Sequence, residues 1–299
     1  MNFVHPEYLV STDWLAEHLG DENLRILDVT AMLTSKLINR AEVEWFNKGH
    51  IPGSVFFDVP AGQGVLSDNN ATLPWSWPPK DQFEATMAEF GIGNDTRVVL
   101  VARTPREGLD SGTMWCTRAW WTLFHFGVNC SILQGGIEKW EAEKREMTTE
   151  TVKPAIAAFS ASDDYSTGLA DKDDVLASVS DGSTCLVDTL PETAYNGTDA
   201  GYGPRKGHIE NAVNIPFRSL LESETAQFKD ADSVSNALAD LLSKPKVITY
   251  CGGAIAATVD AFALKLLGYE NVAVYDGSLM EWSADPDLPM VDLNPDNGT

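Results

Sequence analysis

The sequence predicts an α/β protein of two tandem domains, each a mainly parallel sheet flanked by helices. Three observations carry this. Short continuous apolar runs alternate with helix-like stretches, the pattern of parallel strands joined by helical crossovers. A set of four landmarks occurs twice, in the same order. The chain's 299 residues are also about twice the usual ~150-residue domain.

Along the first copy, Ser11 to Leu19 opens on capping residues and carries helical apolar spacing, which predicts a helix. Arg25-Ile26-Leu27-Asp28-Val29 is a short apolar strand ending at an aspartate, followed downstream by Gly49-His50-Ile51-Pro52-Gly53-Ser54-Val55. Gln82 to Phe90 predicts a second helix, stopped by Gly91. Arg97-Val98-Val99-Leu100-Val101 is a continuous apolar run of the buried parallel-strand kind, and Gln134-Gly135-Gly136-Ile137-Glu138-Lys139-Trp140 closes the copy.

The second copy answers with Cys185-Leu186-Val187-Asp188-Thr189, Gly207-His208-Ile209-Glu210-Asn211-Ala212-Val213, Lys246-Val247-Ile248-Thr249-Tyr250 and Asp276-Gly277-Ser278-Leu279-Met280-Glu281-Trp282. Ala254 to Leu267, apolar on most faces and closed by Gly268, predicts a buried helix. Lys144 to Gly168 is rich in Thr, Ser, Ala and acidic residues, contains Pro154 and has little periodicity, so it is expected to be a linker. The domains are accordingly placed at 1–145 and 169–299, with a linker at 146–168. Eight of the nine tryptophans precede residue 150, which gives the first copy the heavier aromatic core.

Composition excludes some functions. Lys and Arg number 21 against 44 Asp and Glu, a formal charge of −23, and no basic run interrupts it. Such a field repels phosphate backbones and anionic lipid, so neither nucleic acid nor membrane is an expected partner. No apolar stretch approaches the ~20 residues of a membrane helix, and Met1 to Pro6 lacks the features of a secretory signal. Cys116, Cys130, Cys185 and Cys251 stand far apart with no metal-ligand spacing. A reduced, cytoplasmic setting is the expectation.

One place reads as chemistry. The strand Val247–Tyr250 runs into Cys251-Gly252-Gly253-Ala254-Ile255-Ala256-Ala257 and then a helix. Open α/β sheets place their ligands at the C-terminal ends of strands. Glycines let successive N–H groups face the sulfur, and the helix start adds partial positive charge; both favour thiolate, the nucleophilic form. The plainer alternative is a buried packing cysteine. The repeat supplies a control: aligning the central strands puts Ala102 opposite Cys251, and the following loop, Arg103 to Met114, is longer and carries Pro105 and a charged cluster. One active and one catalytically silent domain follow. His50 and His208, Asp28 and Asp188 recur in both copies, which assigns them structural roles. Trp75-Ser76-Trp77-Pro78-Pro79 reads as a packed loop.

These residues resemble the two-domain rhodanese family of thiosulfate and 3-mercaptopyruvate sulfurtransferases. The resemblance spans nearly the whole chain and rests on Gly49-His50-Ile51-Pro52-Gly53, Phe56-Phe57-Asp58, Arg118-Ala119-Trp120-Trp121, Gln134-Gly135-Gly136 with Trp140, Gly207-His208-Ile209, Asn214-Ile215-Pro216-Phe217 and the loop from Cys251. It implies a rhodanese-like fold in each half. It further implies a transferase in which Cys251 takes sulfane sulfur as a persulfide and passes it to a thiol, cyanide or thioredoxin-like acceptor. Backbone N–H groups of Gly252 through Ala257 would hold the persulfide. No metal or organic cofactor is implied.

The departures bear on the donor. Thiosulfate-using members typically carry cations early in this loop, where this chain has Gly252 and Gly253. Mercaptopyruvate-type members have a serine at the position of Gly253, arginines at those of Leu190 and near Ala194, and a histidine at that of Trp75. Asp58 resembles the family's acidic partner and is kept. The neutral loop therefore favours a 3-mercaptopyruvate-like donor over thiosulfate. A carboxylate donor needs compensating cations; Arg205 is the substrate-binding candidate, with Lys206, Arg218 and Arg103 behind it. A cysteine phosphatase is excluded, because its Cys-x5-Arg cradle would need arginine where Ala257 stands. The alternative kept open is a persulfide carrier or binding protein on the same scaffold, without turnover.

Overall fold

The computed structural model describes residues 2–104, 112–182, 184–199 and 201–294. Pro105 and the charged cluster after it lie outside the described residues. Two compact units emerge: one from the described residues of Pro6–Ser166 and Ser223–Gln227, the other from those of Met1–His5, Thr167–Glu222 and Phe228–Thr299. The stretch 146–166 packs as part of the first unit. There Thr148 and His50 exchange backbone hydrogen bonds, and Ala157 N donates to Ala88 O.

The first unit runs β1 (Leu9–Val10), α1 (Thr12–His18), β2 (Leu24–Asp28), α2 (Ala41–Glu44), β3 (Ser54–Phe56), α3 (Lys80–Glu89), β4 (Arg97–Val101), α4 (Gly112–His125), β5 (Asn129–Leu133) and α5 (Gly136–Ala142). Its sheet has the order β1-β5-β4-β2-β3, all pairs parallel. The Ser11 side chain caps α1 by accepting from Trp14 N at 3.0 Å. Val98 to Val101 on the central strand are fully buried, as the unbroken apolar run requires of a strand covered on both faces. Around them Trp120, Trp121 and Trp140 are buried, and Phe83 stacks on Phe126 at 3.9 Å. The expected aromatic weight of this copy is present in its core.

The second unit runs β6 (Leu169–Ala170), α6 (Lys172–Asp181), β7 (Thr184–Asp188), α7 (Glu192–Tyr195), β8 (His208–Ile209), β9 (Val213–Asn214), α8 (Ala231–Ala237), α9 (Ala239–Leu242), β10 (Lys246–Tyr250), α10 (Ala257–Leu266), β11 (Val272–Tyr275), α11 (Ser278–Trp282) and β12 (Met290–Val291). Its parallel sheet, β6-β11-β10-β7-β9, repeats the strand order of the first. A small antiparallel pair, β12 with β8, is added. The capping box of Asp171 and Asp174 starts α6. The centre is β10, buried from Val247 to Tyr250, and its C-terminal end delivers Cys251. Among the described residues no helix is long and apolar enough to cross a membrane.

Candidate functional site

β10 pairs with β7 in register, Tyr250 opposite Asp188, so the strand end is rigid on the residue before the thiol. The sequence predicts a helix from Ala254, yet α10 begins only at Ala257. The reason is Ala254 itself, held at φ +61°. That left-handed conformation costs an L-residue about 1–2 kcal/mol, and it turns the chain so that the amides of Ala257, Gly253 and Ile255 act on the Cys251 sulfur. Side chains then pin the loop to its flanks: Thr249 Oγ1 donates to Ala257 O at 3.0 Å, and Thr258 Oγ1 to Ile255 O at 2.7 Å.

A second support comes from the turn into α11. Leu279 N donates to Cys251 O at 3.0 Å, and Met280 N to Gly252 O at 2.9 Å. Ser278 Oγ accepts from Cys251 N at 3.3 Å and from Ala254 N at 3.1 Å. Neither Ser278 nor Tyr202 is among the residues singled out from the sequence. The signal for Ser278 was present, since the repeat sets it opposite Gly136. For Tyr202 there was none, because its contact is long-range. Its ring lies against Gly252 so closely that a Cβ there would stand 2.1 Å from Tyr202 Cδ1. Only glycine fits at 252 with the ring in place.

The electrostatics correct one expectation. Cys251 is 3% exposed. Burial pushes its thiol above the ordinary value and the nearby Asp188 carboxylate adds to this, while the three amides pull it down without cancelling the rise. The sequence points to a stabilised thiolate because it reveals the amide-rich loop; it does not reveal that the sulfur leaves water. Asp188, whose Oδ1 accepts from Leu190 N at 2.9 Å, is itself pushed up to about 7 by burial. Asp260, in the first turn of α10, is fully buried, and neither carboxyl oxygen has a hydrogen-bond partner among the described residues; burial drives it well above the carboxylate range.

The other candidate residues fall as follows. Gly252 to Ala257 form the loop around the sulfur. Asp58 lies in the first unit, where Oδ1 accepts from Asn39 Nδ2 at 2.8 Å and Ala61 N at 3.2 Å, and burial raises its carboxyl. It lines a cavity of about 480 Å³ together with Lys36, Asn39 and Thr72. The Arg205 guanidinium donates to the carbonyls of Ser283 (3.0 Å), Leu288 (2.7 Å), Trp282 (2.8 Å) and Asp285, occupying four of its five N–H groups. It braces the 282–288 turn. Arg103 is likewise engaged, bidentate on Glu141 at 2.6 and 2.7 Å.

His50 Nδ1 lies 2.9 Å from Phe46 O, and His208 Nδ1 lies 2.8 Å from Tyr195 O, each ring stacked on the same aromatic neighbour. Both hold turns. Cys116 and Cys130 are buried, and burial pushes their thiols well up. Among the described residues no group of three or more His, Cys, Asp or Glu is arranged to hold a metal ion.

Residues 11–143 and 171–285 match the family described as Rhodanese-like domain. The 3-mercaptopyruvate sulfurtransferase of Escherichia coli O157:H7 is 32% identical over 291 residues, 96% of this chain and 98% of that protein. The thiosulfate sulfurtransferase of Gallus gallus is 32% identical over 282 residues, 92% of each chain. The crystal structure of a 3-mercaptopyruvate sulfotransferase from Escherichia coli superposes with a TM-score of 0.77 at 29% identity, covering 91% of this chain and 98% of that one.

Proposed function

The chain belongs to the rhodanese-like family and is a sulfurtransferase, and on that premise we propose that Cys251 is its covalent sulfur carrier. The observation that carries this reading is the convergence of the Ala257, Gly253 and Ile255 amides on the Cys251 sulfur at a strand's C-terminal end. Amides aimed at one atom stabilise negative charge there, on thiolate and persulfide alike.

The proposed step balances as follows. The Cys251 thiolate attacks the sulfur of the donor and an S–S bond forms. With 3-mercaptopyruvate the C–S bond breaks, its electron pair passes into the enolate of pyruvate, and the proton released by the Cys251 thiol ends on that carbon. A thiolate or cyanide acceptor then attacks the outer sulfur, the S–S bond breaks, and the Cys251 thiolate returns. Because the free thiol is raised, the first half-reaction should quicken as the pH climbs toward and past the ordinary thiol range.

A 3-mercaptopyruvate-like donor is favoured over thiosulfate. The loop offers no cation, and Tyr202 occupies the space that a side chain at 252 would need. Two measurements test the reading. Cys251→Ser should abolish sulfur transfer while the protein stays folded; persistent transfer would overturn the assignment. Steady-state kinetics with both donors should give the higher kcat/KM for 3-mercaptopyruvate, and the reverse order would overturn the donor preference. The raised, sealed thiol also favours a second reading, a persulfide carrier that loads once and releases sulfur slowly to a protein thiol. Multiple turnover on a small donor would exclude it.

A further inference from the structure

The turn that supports the thiol loop differs between the two copies at one atom group. In the second unit Ser278 is fully buried, stands at φ +47°, and its hydroxyl is saturated: it donates to Tyr275 O at 2.8 Å and accepts from Cys251 N and Ala254 N. In the first unit the same place is Gly136, at φ +59°. The carbonyl strut is common to both, with Ile137 N on Ala102 O at 3.1 Å matching Leu279 N on Cys251 O at 3.0 Å. A Cβ on Gly136 would stand 2.6 Å from Ala102 O, so the first copy has no room for the serine.

Holding the chain at this turn therefore does not require a hydroxyl, and a left-handed position favours glycine. The hydroxyl accompanies the thiol. It takes the N–H of Cys251, at the start of the loop, and that of Ala254, at its left-handed turn. Removing it takes a shared acceptor away from both amides and loosens the peptide planes between them.

We propose that Ser278 is a positioning residue for sulfur transfer, its hydroxyl fixing the Cys251 and Ala254 peptides so that the intervening and following amides stay aimed at the sulfur. This rests on the reading of Cys251 as the carrier. Ser278 touches no reacting atom; it acts through the loop.

The test uses the full chain with Ser278→Gly and Ser278→Ala beside Cys251→Ser. Both Ser278 variants lose the hydroxyl, but only the glycine removes the side chain that burdens the left-handed backbone. Each should lower kcat by about 100-fold, the scale of a misplaced reacting group, with KM within about twofold. Each should also move the pH midpoint of Cys251 alkylation upward by the same amount, whatever their difference in thermal midpoint. A wild-type alkylation midpoint and kcat in the folded glycine variant would overturn the inference, as would losses that follow thermal stability and are worse in alanine than in glycine. Should one variant fail to fold, the other decides by the same readouts. Transfer persisting in Cys251→Ser would instead overturn the carrier reading itself.

Discussion

The C-terminal ends of β4 and β10 are the same place built twice. One ends in Ala102 and Arg103, faced by Gly136; the other ends in Cys251 and Gly252, faced by Ser278. Strand order, parallel register and the carbonyl strut from the following turn are common to both. What differs is what the end is prepared to hold. In the first unit the second residue past the strand is an arginine, paired with Glu141 and lying 5.0 Å over the Trp45 ring. In the second it is a glycine roofed by Tyr202, and the loop amides face a sulfur. On the proposed reading of Cys251, the loop and the turn that supports it, and not the fold alone, are what would make this strand end a sulfur site.

The most severe way to break this contrast is to move the thiol. Ala102→Cys, placed in a Cys251→Ser background, should recover less than about one-thousandth of wild-type transfer, since a single amide donor in such sites is already worth about 10²–10³. Recovery beyond that, measured as sulfane loading of the protein, would show that strand-end position is enough. A gentler break puts a long side chain at 252. Gly252→Arg must expel the Tyr202 ring and should cost about 10-fold or more in kcat/KM for 3-mercaptopyruvate. Adding Tyr202→Ala should restore part of the loss; if it restores none, the ring is not what limits the position.

The smallest expected effects are on stability and sharpen the contrast within the helices. Asp260 stands in α10 as a buried carboxyl whose oxygens have no hydrogen-bond partner among the described residues. Asp260→Val should stabilise the protein by about 1–3 kcal/mol at neutral pH, the cost of a buried unpaired polar group, read from urea midpoints. The pH dependence has a defined sign. Asp260, Asp188 at about 7 and Asp28 at about 6 all sit above the unfolded carboxyl value because of burial. The folded state therefore binds more protons. Their stabilisation is fully present below about pH 4 and is lost as pH rises through the folded values. The wild-type midpoint should fall between pH 5 and pH 8 by more than that of Asp260→Val, and an equal fall would show that Asp260 is not buried as a neutral acid.

Much of this was legible in the chain. A twofold set of landmarks and continuous apolar strands required two parallel-sheet domains, because such runs can be buried only between layers of helices. Cys251 followed by two glycines at a strand end marked the candidate site, since that local pattern directs backbone amides toward one side chain. The recurrence of His50 and His208 marked them as turn supports, and the carbonyl contacts agree.

Other features lay in distances that sequence order does not contain. Arg205 is far along the chain from the carbonyls at 282–288 that it braces, so its charge looked available when it was engaged. Tyr202 meets Gly252 only through the folded loop, and the Ser278 hydroxyl meets two loop amides only because the start of α11 bonds to the residues that follow β10. Local chemistry, periodicity and repetition determined the folds and pointed to one candidate sulfur. How far that sulfur leaves water, and hence how its pKa is pushed up, was decided by tertiary packing, because desolvation is a property of everything that closes over an atom.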